Sequence, residues 1–181
     1  DFTMAFDREV PLLPVFVWFY ILAFPFWAVG YLLATRRGKD MFYRFVATDL
    51  TIHFICFICF ILIPTTNIRP EIAGNTLSEK ILALVYSLDG GNSPSNLFPS
   101  IHCYVSWMCW KGVEGSEKVP KWYQRFSLVF AILIIISTQV LKQHYIVDAA
   151  AALLLVEFFW RFYQKGQRHK WVVHNFSHKK K

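Results

Sequence analysis

The chain has 181 residues, of which 55% are hydrophobic and 18% aromatic, and its mean hydropathy is +0.36. Its apolar residues occur in blocks long enough to cross a bilayer, which excludes an ordinary soluble domain. The net charge of +7 would by itself be compatible with a nucleic-acid partner.

The apolar blocks predict an all-α fold, a multi-pass transmembrane helical bundle that forms one integral membrane domain over residues 1–181. A short amphipathic helix at the membrane interface is expected near Leu77–Val85, inside a long polar connection at 64–98. A polar N-terminal segment precedes the first block, which contains Pro25 and is expected to be kinked there. The five predicted spans are, in chain order, residues 15–35, 45–63, 99–110, 126–141 and 146–160.

The lysines and arginines fall on alternate loops of this predicted bundle. Fifteen of the nineteen lie in segments 36–44, 111–125 and 161–181, and the positive-inside bias makes these segments cytoplasmic. Membrane orientation therefore accounts for the basic charge, and no nucleic-acid partner is expected. Segment 64–98 then becomes an extracytoplasmic loop and 161–181 a basic cytoplasmic tail, with the plasma membrane as the expected location.

The same orientation places residue 1 outside the cytoplasm. Because the chain begins with Asp1 rather than Met and has five spans, a sixth span upstream is expected in the full-length protein. The oligomeric state is not indicated by the sequence.

A polar segment at 137–148 interrupts two apolar blocks and carries the first candidate site residues. His144 and Asp148 are four residues apart, the spacing that places two side chains on one face of a helix. A carboxylate there can accept a hydrogen bond from one ring nitrogen of the histidine and leave the other nucleophilic. Lys142 lies close by and is not easily explained by packing. Polar groups at such a position are functional-site candidates.

Two further polar segments are expected on the same face of the membrane. In Phe98–His102, Pro99 suits the first turn of a helix, whose free N–H groups favour a phosphate, and Ser100 adds a hydroxyl. His102 is a candidate proton donor to a leaving alcohol. Upstream, the planar guanidinium of Arg69 is a candidate for binding phosphate oxygens.

These three segments resemble the three motifs of the type-2 phosphatidic acid phosphatase superfamily, which are KxxxxxxRP, PSGH and SRxxxxxHxxxD in this order. The resemblance covers residues 62–148 by motif. The matching positions are Arg69 and Pro70 in the first motif, Pro99, Ser100 and His102 in the second, and Ser137, His144 and Asp148 in the third.

The resemblance implies a helical bundle whose motifs cluster at one membrane face, acting on a lipid phosphate without a metal or other cofactor. His144 would attack phosphorus to give a phosphohistidine, Asp148 would orient it, and His102 would protonate the leaving oxygen. The predicted phosphate-binding residues are Arg69, Ser100, Ser137 and Lys142.

Three positions depart from the family pattern. Leu62 stands at the lysine of the first motif, Thr138 at the arginine of the third, and Ile101 at the glycine of PSGH. Two phosphate-binding cations are thus absent, and Lys142 would replace one of them.

The missing cations leave two interpretations of the activity open. Hydrolysis of a lipid phosphate ester is slightly favoured. The alternative is transfer of a phospho-head group to a lipid alcohol. The Phe98–His102 segment is also similar to the branch that contains inositol phosphorylceramide synthases, and sphingomyelin synthases have the same two histidines and aspartate.

Two other interpretations are weaker. A transporter would use the intramembrane residues Asp49, His53 and Glu157, but no internal repeat accompanies them, and contacts inside the bundle are their expected role. A catalytically inactive member of the same fold would explain Leu62 and Thr138 but not the retained histidines. The four cysteines fall inside apolar blocks and predict neither a metal site nor a disulfide.

Overall fold

A computed structural model describes residues 4–91 and 94–165, together with residues 168, 170 and 171. Within these residues the secondary structure is helical, and an isolated bridge between Thr66 and Ser95 is the one β-type pairing. The helices are α1 (Ala5–Glu9), α2 (Val17–Ala34), α3 (Lys39–Leu62), α4 (Leu77–Leu88), α5 (Ile101–Val113), α6 (Lys121–Val140) and α7 (Ile146–Gln164). The prediction of an all-α helical bundle is confirmed.

Among the residues that the structure describes, three helices are long and apolar enough to cross a membrane: α2 with its flanking 3₁₀ turns (Pro14–Arg37), α3 and α6. They correspond to the first, second and fourth predicted spans. The third predicted span is α5, which has only 13 residues and is therefore about 20 Å long. The fifth is α7, whose 19 residues include ionisable side chains near both ends.

The short helix α5 lies at the centre of the bundle and packs against α2, α3, α6 and α7. Nine of its 13 residues are buried. Contact with α2 is closest at Gly30, where an added Cβ would lie 2.6 Å from the sulfur of Cys109. Because other helices surround it, α5 carries polar side chains without presenting them to lipid.

The two ends of the bundle differ in chemistry. One end holds the start of α2, the start of α5 and the α6–α7 turn, and α4 covers it through the buried side chains of Leu82 and Tyr86. A capping box between Thr76 and Glu79 starts α4 at the point predicted for the amphipathic helix. The opposite end carries cations, including Arg37, Arg44, Lys111 and Arg161. The polar motifs and the basic residues thus lie at opposite ends.

The predicted tail at 161–181 falls largely outside the described residues. Its first four residues, from Arg161 to Gln164, are the last turn of α7. There the Arg44 guanidinium lies 4.1 Å from the ring centroid of Trp160 and donates to the Trp160 carbonyl.

An intramembrane polar group joins α2, α3 and α5. Tyr31 donates to Asp49 at 2.6 Å, His53 lies 3.5 Å from the same carboxylate, and the Tyr104 hydroxyl is 2.7 Å from His53 Nε2. Glu157 accepts from Trp107 at 3.0 Å and pairs with Lys111. The contacts of Asp49 and Glu157 agree with the role inside the bundle that was predicted for them, whereas His53 exposes half of its side chain and departs from that prediction.

Candidate active site

The three motif segments meet at one end of the bundle. The backbone N–H of Ser100 donates to the carbonyl of Asp148 at 3.3 Å, which joins the second motif to the third. Asn67, two residues before the first-motif arginine, donates to the carbonyl of Lys142 at 2.8 Å. Loop 64–98 is fixed further by Thr65, whose hydroxyl accepts from the backbone N–H of Leu97 and of the residue after it. The three motif segments, although far apart in sequence, are therefore in contact at this end of the bundle.

His144 and Asp148 form a buried pair, although they do not share a helix as their spacing predicted: Asp148 lies in the first turn of α7, and His144 lies in the turn two residues before it. Their side chains are 9% and 1% exposed, and His144 Nδ1 lies 3.6 Å from Asp148 Oδ2. The same carboxylate oxygen accepts from the backbone N–H of Tyr145 at 2.9 Å and so caps α7. The 3.6 Å between His144 Nδ1 and Asp148 Oδ2 is slightly longer than a hydrogen bond, as is common in catalytic sites without substrate. The pair leaves Nε2 as the ring nitrogen directed away from the carboxylate.

His102 faces His144 across the site, with ring centroids 6.0 Å apart. It lies on the first turn of α5 and stacks on Tyr20 of α2 at 4.4 Å. Trp27 and Phe24 also contact the ring, so three aromatic side chains fix its position. The sequence did not single out Tyr20, because one aromatic residue in an aromatic-rich span gives no distinct signal.

Both serines use their hydroxyls locally. Ser100 is the N-cap of α5, and its oxygen accepts from the Cys103 backbone N–H at 3.3 Å. Ser137 donates to the Ile134 carbonyl at 2.7 Å. Both residues are fully buried. The first turn of α5 still presents backbone N–H groups beside His102, since the first N–H groups of a helix have no partner within it.

Arg69 is bonded to the polypeptide on several sides. Its guanidinium donates to the Asp89 and Gly91 carbonyls at 2.8 and 3.0 Å and pairs with the Asp89 carboxylate. It also donates to the side-chain oxygen of Gln143 and lies 4.6 Å from the ring centroid of Tyr86. The residue is 3% exposed. Arg69 therefore ties loop 64–98 to the third motif, and its terminal nitrogens already have partners.

Lys142 also has partners outside the site. Its ammonium donates to the carbonyls of Asp7 and Val10 in the N-terminal segment. Burial lowers the pKa of the Lys142 ammonium below its usual range, an effect opposed by the Asp7 carboxylate. Asp7 in turn accepts from the Ile146 backbone N–H at 3.0 Å, and Leu13 donates to the Val140 carbonyl. The N-terminal segment is thereby fastened to the α6–α7 turn.

These contacts give a prediction for Lys142. In the Lys142→Met variant, amide hydrogen exchange of residues 4–13 is expected to rise, because two carbonyls lose a charged donor worth about 1 to 3 kcal/mol. Exchange mass spectrometry measures this change. Arg8→Met, which removes an exposed cation from the same segment, is the control and is expected to leave exchange unchanged. Unchanged exchange in Lys142→Met together with a higher KM would instead favour a phosphate-binding role.

Unpaired polar atoms concentrate at the motifs. Of the seven buried side-chain nitrogen or oxygen atoms without a hydrogen-bond partner in the described part of the chain, six belong to motif residues or their neighbours. They are Asn67 Oδ1, Arg69 Nε, His102 Nε2, Gln143 Nε2, His144 Nδ1 and Asp148 Oδ1. Since buried polar groups normally have partners, such a cluster indicates a place where water or a polar ligand binds. No three metal-binding side chains come together among the described residues.

Two of the three departures from the family motifs, Leu62 and Thr138, have different surroundings. Leu62 is 71% exposed at the end of α3. Thr138 is fully buried, and its hydroxyl donates to the Ile135 carbonyl at 2.8 Å and contacts Cys103. The Thr138 carbonyl accepts from the backbone N–H groups of Gln143 and His144, at 2.9 and 3.1 Å. Thr138 thus shapes the turn that carries the histidine.

The helical bundle, with His102 and His144 close together among its three motif segments, fits a membrane enzyme of the phosphatase or phosphotransferase type, which the family assignment supports. The sequence matches the family model of the PAP2 superfamily over residues 3–161, and the chain belongs to that superfamily. The predicted family is confirmed, and its members act on lipid or other phosphates. With its three apolar helices, the chain is an integral membrane protein. Searches of curated proteins and of solved structures found no match.

Proposed function

We propose that this chain breaks a phosphoester of a membrane lipid through a phosphohistidine on His144. The observation that carries the proposal is the proximity of His102 and His144, whose ring centroids are 6.0 Å apart. The Asp148 carboxylate lies 3.6 Å from Nδ1 of His144. An in-line transfer needs an attack distance of about 3 Å on one side of phosphorus and a hydrogen bond of about 3 Å on the other. Ring centroids 6.0 Å apart bring both imidazoles within reach of one phosphoryl group bound beside them.

In the first step, the lone pair of His144 Nε2 attacks phosphorus. The bond between phosphorus and the lipid oxygen breaks, and the leaving oxygen takes a proton from His102. Asp148 holds the Nδ1–H tautomer and balances the positive charge that develops on the ring. The products are the lipid alcohol and a phosphohistidine.

In the second step, His102 removes a proton from a water molecule, and the water oxygen attacks phosphorus. The phosphorus–nitrogen bond breaks, its electron pair returns to His144, and inorganic phosphate leaves. Backbone N–H groups at the start of α5 are proposed to bind the phosphoryl oxygens in both steps. The positive-inside distribution of Lys and Arg supports an extracytoplasmic site.

A second candidate function is transfer of a phospho-head group to a lipid alcohol. The observation that favours it is that Arg69 and Lys142, the cations predicted to bind phosphate, already bond to the protein. A phosphate monoester carries nearly two negative charges, whereas a phosphodiester carries one and needs less positive charge for binding. In this candidate His102 deprotonates the lipid alcohol instead of water.

The deciding experiment supplies purified protein in mixed micelles with a phosphatidic acid, an isoprenoid diphosphate, or phosphatidylinositol plus ceramide or diacylglycerol. Products are identified by mass spectrometry, with His144→Ala beside the native chain. Free phosphate that disappears in the variant supports hydrolysis. A new phospholipid without free phosphate supports transfer. Equal product from native and variant chains, or none from either, contradicts both.

A further inference from the structure

Gln143 lies next to the proposed nucleophile, and its side-chain amide has a defined orientation. The side-chain oxygen accepts a hydrogen bond from the Arg69 guanidinium. Because a guanidinium only donates, the atom that faces Arg69 must be the amide oxygen, so the two ends of the amide are assigned by chemistry. The NH₂ end, Nε2, is therefore directed away from Arg69.

That NH₂ group has no hydrogen-bond partner, although the residue is 1% exposed. Water outside the protein thus does not supply the missing acceptor, and a buried donor without an acceptor is unfavourable. The backbone N–H groups of Gln143 and His144 share one acceptor, the Thr138 carbonyl, so the backbone of the turn that carries both residues is fixed. A donor fixed beside the nucleophile suits a ligand that brings its own oxygen atoms.

We infer that the Gln143 NH₂ group donates a hydrogen bond to a non-bridging oxygen of the phosphoryl group transferred by His144. The inference rests on the proposed function and adds a phosphate-binding residue that the family motifs did not indicate in this sequence. A neutral donor binds the phosphoryl group without adding charge. The donor also strengthens its bond as negative charge accumulates on the phosphoryl oxygens in the transition state.

Arg69 acquires a different role from the one predicted. It is a positioning residue: three of its contacts, to Asp89, Gly91 and the Tyr86 ring, fix the guanidinium on loop 64–98. The guanidinium then fixes the oxygen of Gln143 and leaves the NH₂ group directed away from Arg69, where we place the phosphoryl group. Arg69 acts on the substrate through Gln143.

Two substitutions at Gln143 separate a ligand role from a structural one. Gln143→Met removes the donor and is expected to lower kcat/KM about 100-fold, the effect of deleting one donor to a transition-state oxyanion. Gln143→Glu keeps an oxygen for Arg69 but replaces the donor with a negative charge, so it is expected to lower kcat/KM further. A structural role predicts the reverse order, because the introduced carboxylate would pair with Arg69 and preserve the fold.

The control for these variants is Gln139→Met. Gln139 lies four residues earlier, near the end of α6, and donates to the Thr138 hydroxyl at 3.0 Å, so the same chemical change occurs nearby. Its kcat/KM is expected to stay within about threefold of native. Thermal unfolding of all variants shows whether they are folded.

A double-variant cycle tests the role of Arg69. If Arg69 acts through Gln143, Arg69→Met/Gln143→Met is no slower than the slower single variant, because both changes remove the same donor. If the losses of kcat/KM in the two single variants multiply in the double variant, Arg69 contacts the phosphoryl group itself, and the positioning role is overturned.

Binding of inorganic vanadate, a mimic of the transferring phosphoryl group, is measured in parallel by its effect on the unfolding temperature. Weaker binding in Gln143→Met than in Gln139→Met is the expected result. Equal binding and kcat/KM within about threefold of native overturn the inference. If the native chain turns over no lipid, the proposed function fails, and vanadate binding alone decides the role of Gln143.

Discussion

Replacing His144 by alanine is expected to lower product formation by at least about 10⁴-fold, because the proposed covalent intermediate cannot form without the ring. The alternative path needs direct attack on the lipid phosphate by water or alcohol. The measurement is the initial rate of product release, together with transfer of labelled phosphate to the protein. The label is expected on the native chain, stable to base and lost in acid, and absent from the variant.

The chain contains its own control for this change. His53 and Asp49 are also four residues apart, and their 3.5 Å separation resembles the 3.6 Å between His144 and Asp148, the pair proposed to be catalytic. His53 is half exposed, whereas His144 is 9% exposed, and Tyr104 rather than a second histidine lies beside it. His53→Ala is expected to retain activity within about threefold of native. If His53→Ala lost activity and His144→Ala retained it, the chemistry would lie at the Asp49–His53 pair, and the proposal would be contradicted.

The meeting of His102 with His144 was predictable because local signals determine both positions. Ser100 caps α5 and Asp148 caps α7, so His102 lies in the first turn of α5 and His144 lies two residues before the start of α7. Two helices that start at the same end of a bundle bring their first turns together. Spacing and apolar block length carry this information in the sequence.

The partners of Arg69 and Lys142 were not predictable in the same way. Both residues bond to segments with no periodic pattern, the loop around Asp89 and the N-terminal segment around Asp7. Such contacts depend on how loops fold over the bundle. A cation near a phosphate motif therefore gave the same sequence signal whether it binds substrate or carbonyl groups.

Distance along the sequence did not predict how close Asp49 and His53 lie to the helix that carries His102. Measured along α3, Asp49 lies about 22 Å from the outer end, which indicated separation from the motifs. The structure places His53 against Tyr104, only two residues after His102 on α5. Because α5 is short, its first turn lies lower in the bundle than the outer end of α3. The interior polar group is thus close to the active-site helix, on a different face.

Asp148→Asn is expected to lower kcat about 10³-fold, the second-largest effect of a single substitution. An amide oxygen can still accept from the Tyr145 N–H, so the cap of α7 is retained. The negative charge beside His144 Nδ1 is lost, however, and the ring becomes positive as it bonds to phosphorus. Single-turnover measurement of phosphohistidine formation is expected to show the whole loss in that step.

Asp49→Asn makes the same change in the other His–Asp pair and separates loss of charge at the site from a general effect of removing a carboxylate from the bundle. Its amide oxygen can still accept from Tyr31, as Asp49 does at 2.6 Å. Asp49→Asn is expected to keep kcat within about threefold of native. Equal losses in the two variants would make the carboxylates structural. Loss confined to Asp148→Asn, with unfolding temperatures unchanged, places the stabilising charge beside His144.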